Sequence, residues 1–262
     1  MNIPPNTFKT ALREQRTQIG AWLSMGSPAS AEIFAGAGYD WVLIDGEHGP
    51  NDLTTILAQL QALSGYPDVN VVARIPSGRG EYGATLIKQY LDLGLRTILV
   101  PMVDTAEQAG AVVRAARYPQ DDGSGGTRGI AAARAARWGR HPGFLQESNE
   151  QVCVLVQAES RLALANLDEI AAVDGVDGIL IGPSDLSASM GHLGGTDHPE
   201  VAAAIADAVG RIRAGGKAAG VFTLNPVAGK HYLSIGATFV AVALDTAVLV
   251  TGSSQILDGF KA

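Results

Sequence analysis

Two stretches decide the fold: Val152-Cys153-Val154-Leu155-Val156-Gln157-Ala158-Glu159 and, one unit later, Gly178-Ile179-Leu180-Ile181-Gly182-Pro183-Ser184-Asp185-Leu186. Each opens as a short apolar run rich in β-branched residues, the pattern of a strand buried on both faces. Between them, Leu162–Ala172 carries the period of an amphipathic helix. Strand, helix, strand in that order is a parallel βα unit. Glu159 and Asp185 then fall just beyond consecutive strand ends. Two hard oxygen ligands so placed suit a Mg²⁺-like ion that completes its shell with substrate and water.

The same alternation extends outward over the chain. Strands are predicted at 19–23, 41–45, 69–74, 97–101, 152–158, 177–181, 217–222 and 238–243. Helical periods fall at Leu53–Leu63, Tyr82–Leu93, Ala106–Ala116, Leu162–Ala172, Pro199–Ala214 and Val227–Ile235. Eight such strands predict a (β/α)₈ barrel, a fold of roughly 250 residues, rather than a doubly wound sheet. No linker divides the sequence, so residues 1–262 read as one domain. One connection, at about 118–150, is long. It holds a glycine-rich stretch at 123–126, then an expected Ala/Arg helix, then Trp138-Gly139-Arg140-His141-Pro142-Gly143. This segment is expected either to cover the active face or to reach a neighbouring subunit. Arg128, Arg134, Arg137 and Arg140 read as solvated or interface charges, with anion binding the alternative for Arg128.

Composition narrows the function. With 47% apolar and 17% charged residues, the 262-residue chain can bury a large core. A net charge of −7 without a basic block argues against nucleic acid or an anionic membrane as partner. The first residues, Met1-Asn2-Ile3-Pro4-Pro5-Asn6, lack the features of a signal peptide, and no apolar stretch is long enough to span a bilayer. Cys153 lies inside an apolar run and reads as a buried structural thiol. A cytoplasmic location is expected.

In a barrel of this kind the strand C-terminal ends form the active face. Those ends carry Trp22, the run Asp45-Gly46-Glu47-His48-Gly49-Pro50, Arg74, Gln157, Glu159, Gly182 to Asp185, Thr223-Leu224 and Asp245. His48 is the one histidine at such an end. Its imidazole titrates near working pH, which suits a general base or acid; a structural hydrogen bond is the alternative. His141, His192, His198 and His231 fall in loops or helices and are expected to carry no function. Arg74 closes a buried strand and needs an anionic partner. That partner is either an oxyanion developing on substrate or a carboxylate of the same face. Lys88, Lys217 and Lys230 all lie away from strand C-terminal ends, so a Schiff-base lysine is not expected. No Walker sequence occurs.

Taken together, Leu43-Ile44-Asp45-Gly46-Glu47-His48, Ile87-Lys88-Gln89-Tyr90-Leu91-Asp92-Leu93-Gly94, Pro101-Met102-Val103, Arg117-Tyr118-Pro119, Ala135 with Arg137-Trp138, Val156-Gln157-Ala158-Glu159 and Gly182-Pro183-Ser184-Asp185-Leu186-Ser187 resemble the HpcH/HpaI aldolase family of class II, metal-dependent pyruvate aldolases. The likeness runs over nearly the whole chain. It implies that Glu159 and Asp185 bind a divalent ion (Mg²⁺, Mn²⁺ or Co²⁺). Gln157 and the Gly182-Pro183-Ser184 backbone would hold the oxoacid, Arg74 would stabilise an enolate, and His48 would act as base. Trp22, Leu224 and the 118–150 connection would contact the aldehyde.

The resemblance further implies that Asp92 tunes His48. Asp92 ends a helix that runs toward the opposite face, so contact across a subunit boundary is expected, consistent with a hexamer; Asp45 is the local alternative. Two rival readings are a lyase of the same superfamily acting on CoA thioesters, disfavoured by the absence of a basic groove, and a catalytically silent binding barrel.

Overall fold

The computed structural model describes residues 3–121 and 125–261. Eight strands, β1 (Gln18–Leu23), β2 (Trp41–Asp45), β3 (Asn70–Arg74), β4 (Thr97–Val100), β5 (Cys153–Ala158), β6 (Gly178–Ile181), β7 (Ala218–Phe222) and β8 (Phe239–Leu244), pair in sequence order and close into a parallel barrel. This is the expected (β/α)₈ architecture, and every strand lies within two residues of its predicted bounds. The helices are α1 (Thr7–Arg13), α2 (Pro28–Gly36), α3 (Leu53–Leu63), α4 (Gly80–Asp92), α5 (Ala106–Ala116), α6 (Phe144–Gln151), α7 (Arg161–Ala165), α8 (Leu167–Ala171), α9 (Pro183–Ser189), α10 (Pro199–Ala214), α11 (Pro226–Ser234) and α12 (Asp245–Lys261). The predicted helix over Leu162–Ala172 is in fact α7 and α8, which meet at Asn166.

Successive side chains of a strand point to opposite faces, and this period of two builds both core and site. Inward-facing Trp41, Leu43, Val72, Leu99, Cys153, Leu155, Leu180 and Phe239 fill the barrel. Gly20 and Gly220 admit the two largest rings, since a Cβ on either would fall 2.1 Å from Trp41 or 2.2 Å from Phe239. From α1, Phe8 and Leu12 plug the N-terminal end, with Phe8 packed 5.6 Å from the Trp41 ring. Cys153 is fully buried there, as expected of a structural thiol. The outward row, including Val42, Ile44, Val154, Val156 and Ile179, packs beneath the helices. Continued to the C-terminal end, the inward row reaches Asp45 after Leu43, Arg74 after Val72, and Gln157 after Leu155. The fold therefore turns polar on its inner face only where the barrel opens.

The 118–150 connection departs from expectation. It follows the C-terminal end of α5 and leads into the start of β5, so it lies at the N-terminal end of the barrel and cannot cover this chain's own active face. Its expected Ala/Arg helix is a single 3₁₀ turn, Arg134–Ala136, ended by Arg137 in the left-handed region at φ 51°. Residues 122–124 of its glycine-rich stretch lie outside the described residues. Arg128 is no solvated charge: it is buried, bonds Asp92 at 2.6 Å and lies 4.5 Å from the centre of the Tyr118 ring. Among the described residues no helix is long and apolar enough to cross a membrane.

Candidate active site

The C-terminal strand ends enclose a cleft of about 360 Å³ whose walls include Trp22, Asp45, His48, Arg74, Gln157, Gly182, Pro183, Ser184 and Asp185. A larger cavity, about 640 Å³, lies at the opposite end among Arg96, Arg128 and Arg134. There Arg128 holds Asp92, while Arg96 and Arg134 donate to backbone carbonyls of Pro5 and Leu93. Among the described residues no carboxylate pair or strand C-terminus lines that cavity, so the smaller cleft is the candidate active site.

Asp45 and Arg74 are register partners at the ends of β2 and β3. The guanidinium grips the carboxylate through Nε to Oδ1 at 2.9 Å and Nη2 to Oδ2 at 2.8 Å, while Nη1 lies 2.8 Å from Glu47 Oε2. Trp22 Nε1 and the backbone N–H groups of Glu47 and His48 also donate to Asp45. Burial alone would raise the Asp45 carboxyl, but the Arg74 hydrogen bonds and charge, with these other donors, hold it below its ordinary value. Both readings of Arg74 thus have physical support: it pairs with carboxylates, yet three contacts leave N–H groups to spare, since a guanidinium carries five.

Asp45 is not the local partner of the imidazole. It meets His48 only at the backbone N–H, 3.3 Å away, because its carboxylate is already engaged by Arg74, Trp22 and Glu47. The His48 ring is 69% exposed and lies 3.9 Å from Glu47 Oε2. Glu47 is thus a site residue to which sequence reasoning assigned no role, although it stands inside the Asp45–Pro50 run. Its carboxyl is raised by burial and by the charges of Asp45 and Asp185, against the pull of Arg74 and His48. Asp92 terminates α4 and holds Arg128, so within one chain it does not serve His48.

Glu159 follows β5 and is buried. Its Oε1 accepts the Met102 N–H at 2.9 Å, and its Oε2 accepts a short hydrogen bond from Gln157 Nε2. Met102 presents that N–H from the left-handed region, φ 55°, a rare conformation for a non-glycine residue that no sequence pattern announces. Burial first, then the negative charges of Asp185 and Glu47, push the Glu159 carboxyl up to about 7, against the Met102 N–H and Arg74. Just past neighbouring β6 comes Gly182, the N-cap of α9, where a Cβ would stand 2.4 Å from Glu159 Oε2 and 2.8 Å from Gln157 Nε2. Glycine here lets the Glu159 carboxylate and the Asp185 helix start share one corner. Gln157 Oε1 is buried without a partner.

These observations fit a divalent cation. Burial and neighbouring negative charge raise the Glu159 and Glu47 carboxyls at a corner shared with the Asp185 charge, and a hard cation is the group that relieves such a field. Leu224, expected at the aldehyde end, is half-exposed in the β7–α11 loop; Phe222 and Leu244 line the cleft in its place. Lys9, Lys88, Lys217, Lys230 and Lys261 all lie off the cleft wall. Asp245, another strand-end residue, is fully engaged in structure: it accepts from the N–H groups of Ser24 and Met25 and the Ser30 hydroxyl.

The profile of the HpcH/HpaI aldolase/citrate lyase family matches residues 18–251. The chain belongs to this family. It is 55% identical over 260 residues to 4-hydroxy-2-oxovalerate aldolase of Rhodococcus jostii (strain RHA1), covering 99% of this chain and 98% of that one. It is 56% identical over 258 residues to hydroxypyruvate/pyruvate aldolase of Deinococcus radiodurans, covering 98% and 90% of the two chains. The crystal structure of an HpcH/HpaI aldolase/citrate lyase family protein from Burkholderia cenocepacia J2315 superposes with a TM-score of 0.93 at 37% identity, covering 98% of this chain and 100% of that one. The family member described here is a metal-dependent lyase of the aldolase type that acts on oxoacids.

Proposed function

We propose that the cleft makes and cleaves 4-hydroxy-2-oxoacids, with pyruvate or hydroxypyruvate as the donor and an aldehyde as the acceptor. The observation that carries this reading is the corner where buried Glu159 meets the charges of Asp185 and Glu47 beside the Arg74 guanidinium. Glu159 and Asp185 would hold the divalent ion (Mg²⁺, Mn²⁺ or Co²⁺), which supplies Lewis-acid polarisation of the oxoacid when bound.

The chain's own residues do the rest. Arg74, fixed by Asp45 and Glu47, turns its spare N–H groups toward the donor's C2 oxygen, where negative charge grows as the enolate forms. Gln157 and the first-turn N–H groups at Ser184, which Gly182 cannot cap with a side chain, orient the carboxylate end. In cleavage, His48 takes the proton from the C4 hydroxyl as the C3–C4 bond breaks. The bonding pair passes to the donor as its enolate, and the aldehyde leaves. In synthesis the same proton returns to the new hydroxyl. Trp22 and Phe222, 5.1 Å apart, wall the acceptor side.

The working unit of this proposal is a homo-oligomer, in keeping with the expected hexamer. Helix α12 leaves Val250, Ile256 and Phe260 exposed, an apolar face of the kind that subunits cover. The 118–150 segment and Asp92 would then serve a neighbouring copy's cleft. We place the enzyme in the cytoplasm. Removing divalent metal with a chelator should abolish cleavage of a 4-hydroxy-2-oxoacid panel, and Mg²⁺, Mn²⁺ or Co²⁺ should restore it. Activity untouched by chelator, with pyruvate trapped on a lysine by borohydride, would overturn the proposal.

A further inference from the structure

Outside the cleft, the loop between α9 and α10 gathers His192, His198 and Glu200, whose ligand atoms all lie within 4.8 Å of one another. The gathering follows from the sequence between them. Gly191 and Gly194 take positive φ, 84° and 76°, which lets the chain turn back on itself. Two successive turns, Gly195 N–H to His192 O at 2.7 Å and His198 N–H to Gly195 O at 3.0 Å, then bring the histidines together. Their rings stack at 3.6 Å and 16°. Glu200, in the first turn of α10, places Oε2 2.8 Å from His192 Nε2.

We propose that these three residues form a second, peripheral site for a divalent transition ion of the Zn²⁺ class, separate from the Glu159/Asp185 centre. Two imidazoles and one carboxylate are a common zinc donor set, with a fourth position left to water. Imidazole nitrogen favours Zn²⁺, Ni²⁺ or Cu²⁺ over Mg²⁺, so the two sites differ in the ion they select. None of the three residues lines the catalytic cleft. Entry of the ion replaces the proton shared by His192 Nε2 and Glu200 Oε2, which passes to solvent. The Glu200 N–H bond to His198 Nδ1 is long, 3.3 Å, and yields readily if that nitrogen turns to the ion. Arg161, whose charge also acts on Glu200, is itself bonded to the carbonyls of Ser189 and Met190.

Calorimetric titration of Zn²⁺ into the metal-stripped full-length protein tests this. The expected stoichiometry is two ions per chain in wild type and one in Asp185→Asn, where only the peripheral site remains intact. His192→Phe keeps the ring stack, and His198→Asn keeps a good helix cap, so both variants should fold. Each should bind one Zn²⁺ per chain while Mg²⁺-supported aldol cleavage stays within about twofold of wild type. Either histidine variant binding as many Zn²⁺ ions per chain as wild type overturns the proposal.

Discussion

Arg74 and Asp45 meet as a two-pronged pair across the C-terminal ends of β3 and β2, with contacts of 2.9 and 2.8 Å. The fork fixes the guanidinium plane, and with it the direction of the N–H groups left for substrate. Lysine keeps the charge but cannot form a fork. Arg74→Lys should therefore lower the rate of pyruvate methyl-proton exchange by about 10²-fold or more, the scale of losing one preorganised donor. NMR in D₂O reads that step directly. Exchange at the wild-type rate would mean that Arg74 is only structural.

His48 tests the other half of the chemistry. Its ring is largely exposed and rests near Glu47, so its removal leaves the Asp45–Arg74 pair intact. His48→Ala should slow aldol cleavage by about 10²- to 10⁴-fold, the usual weight of a general base, with pyruvate binding kept. If Asp92 of another copy tunes this ring, Asp92→Asn should shift the pH profile of cleavage only in the oligomer. Light scattering that finds a fully active monomer would refute the shared-site arrangement.

Much of this site was legible because the strand period of two carries the inward row from Leu43 to Asp45, Val72 to Arg74 and Leu155 to Gln157. Runs of Val, Ile and Leu fixed the strand ends closely enough to place Glu159 and Asp185 on one face. Which partner Asp45 would choose was not legible, since that depends on the β2–β3 register and on how the 45–50 turn aims Glu47 at Arg74. The left-handed Met102 that holds Glu159 has no sequence signature. The Ala/Arg run at 131–137 looked helical by propensity, but Arg128 and Arg134 anchor the segment to Asp92 and the end of α4, and tertiary contacts prevailed. The stacking of His192 on His198 depends on two glycine turns and could not be read from spacing alone.

Gly182 gives a sharp steric test. A Cβ there would stand 2.4 Å from Glu159 Oε2, so the carboxylate must shift. Gly182→Ala should weaken divalent-ion binding by about 10- to 100-fold, as disturbed ligand support does, without unfolding the barrel. Calorimetry with Mn²⁺ measures the first effect and circular dichroism the second. Unchanged Mn²⁺ affinity would remove Glu159 from the proposed ligand set.

Glu159 also links stability to pH. Its carboxyl is raised from an ordinary 4.5 to about 7, chiefly by burial and then by the Asp185 and Glu47 charges. Between those values the folded chain holds a proton that the unfolded chain has released, so stability must fall as pH rises. The stabilising effect of this group is complete below about pH 4.5 and gone above about pH 7, a span worth on the order of 3 kcal/mol. In EDTA, the urea midpoint should therefore be lower at pH 8 than at pH 5.5. Glu159→Gln should flatten that slope, since it keeps the shape and removes the ionisation. Divalent metal should flatten it in wild type, because a bound cation takes over the role of the proton and is itself competed away as pH falls. An EDTA midpoint that is the same at both pH values would show that Glu159 ionises freely and that the corner is not short of positive charge.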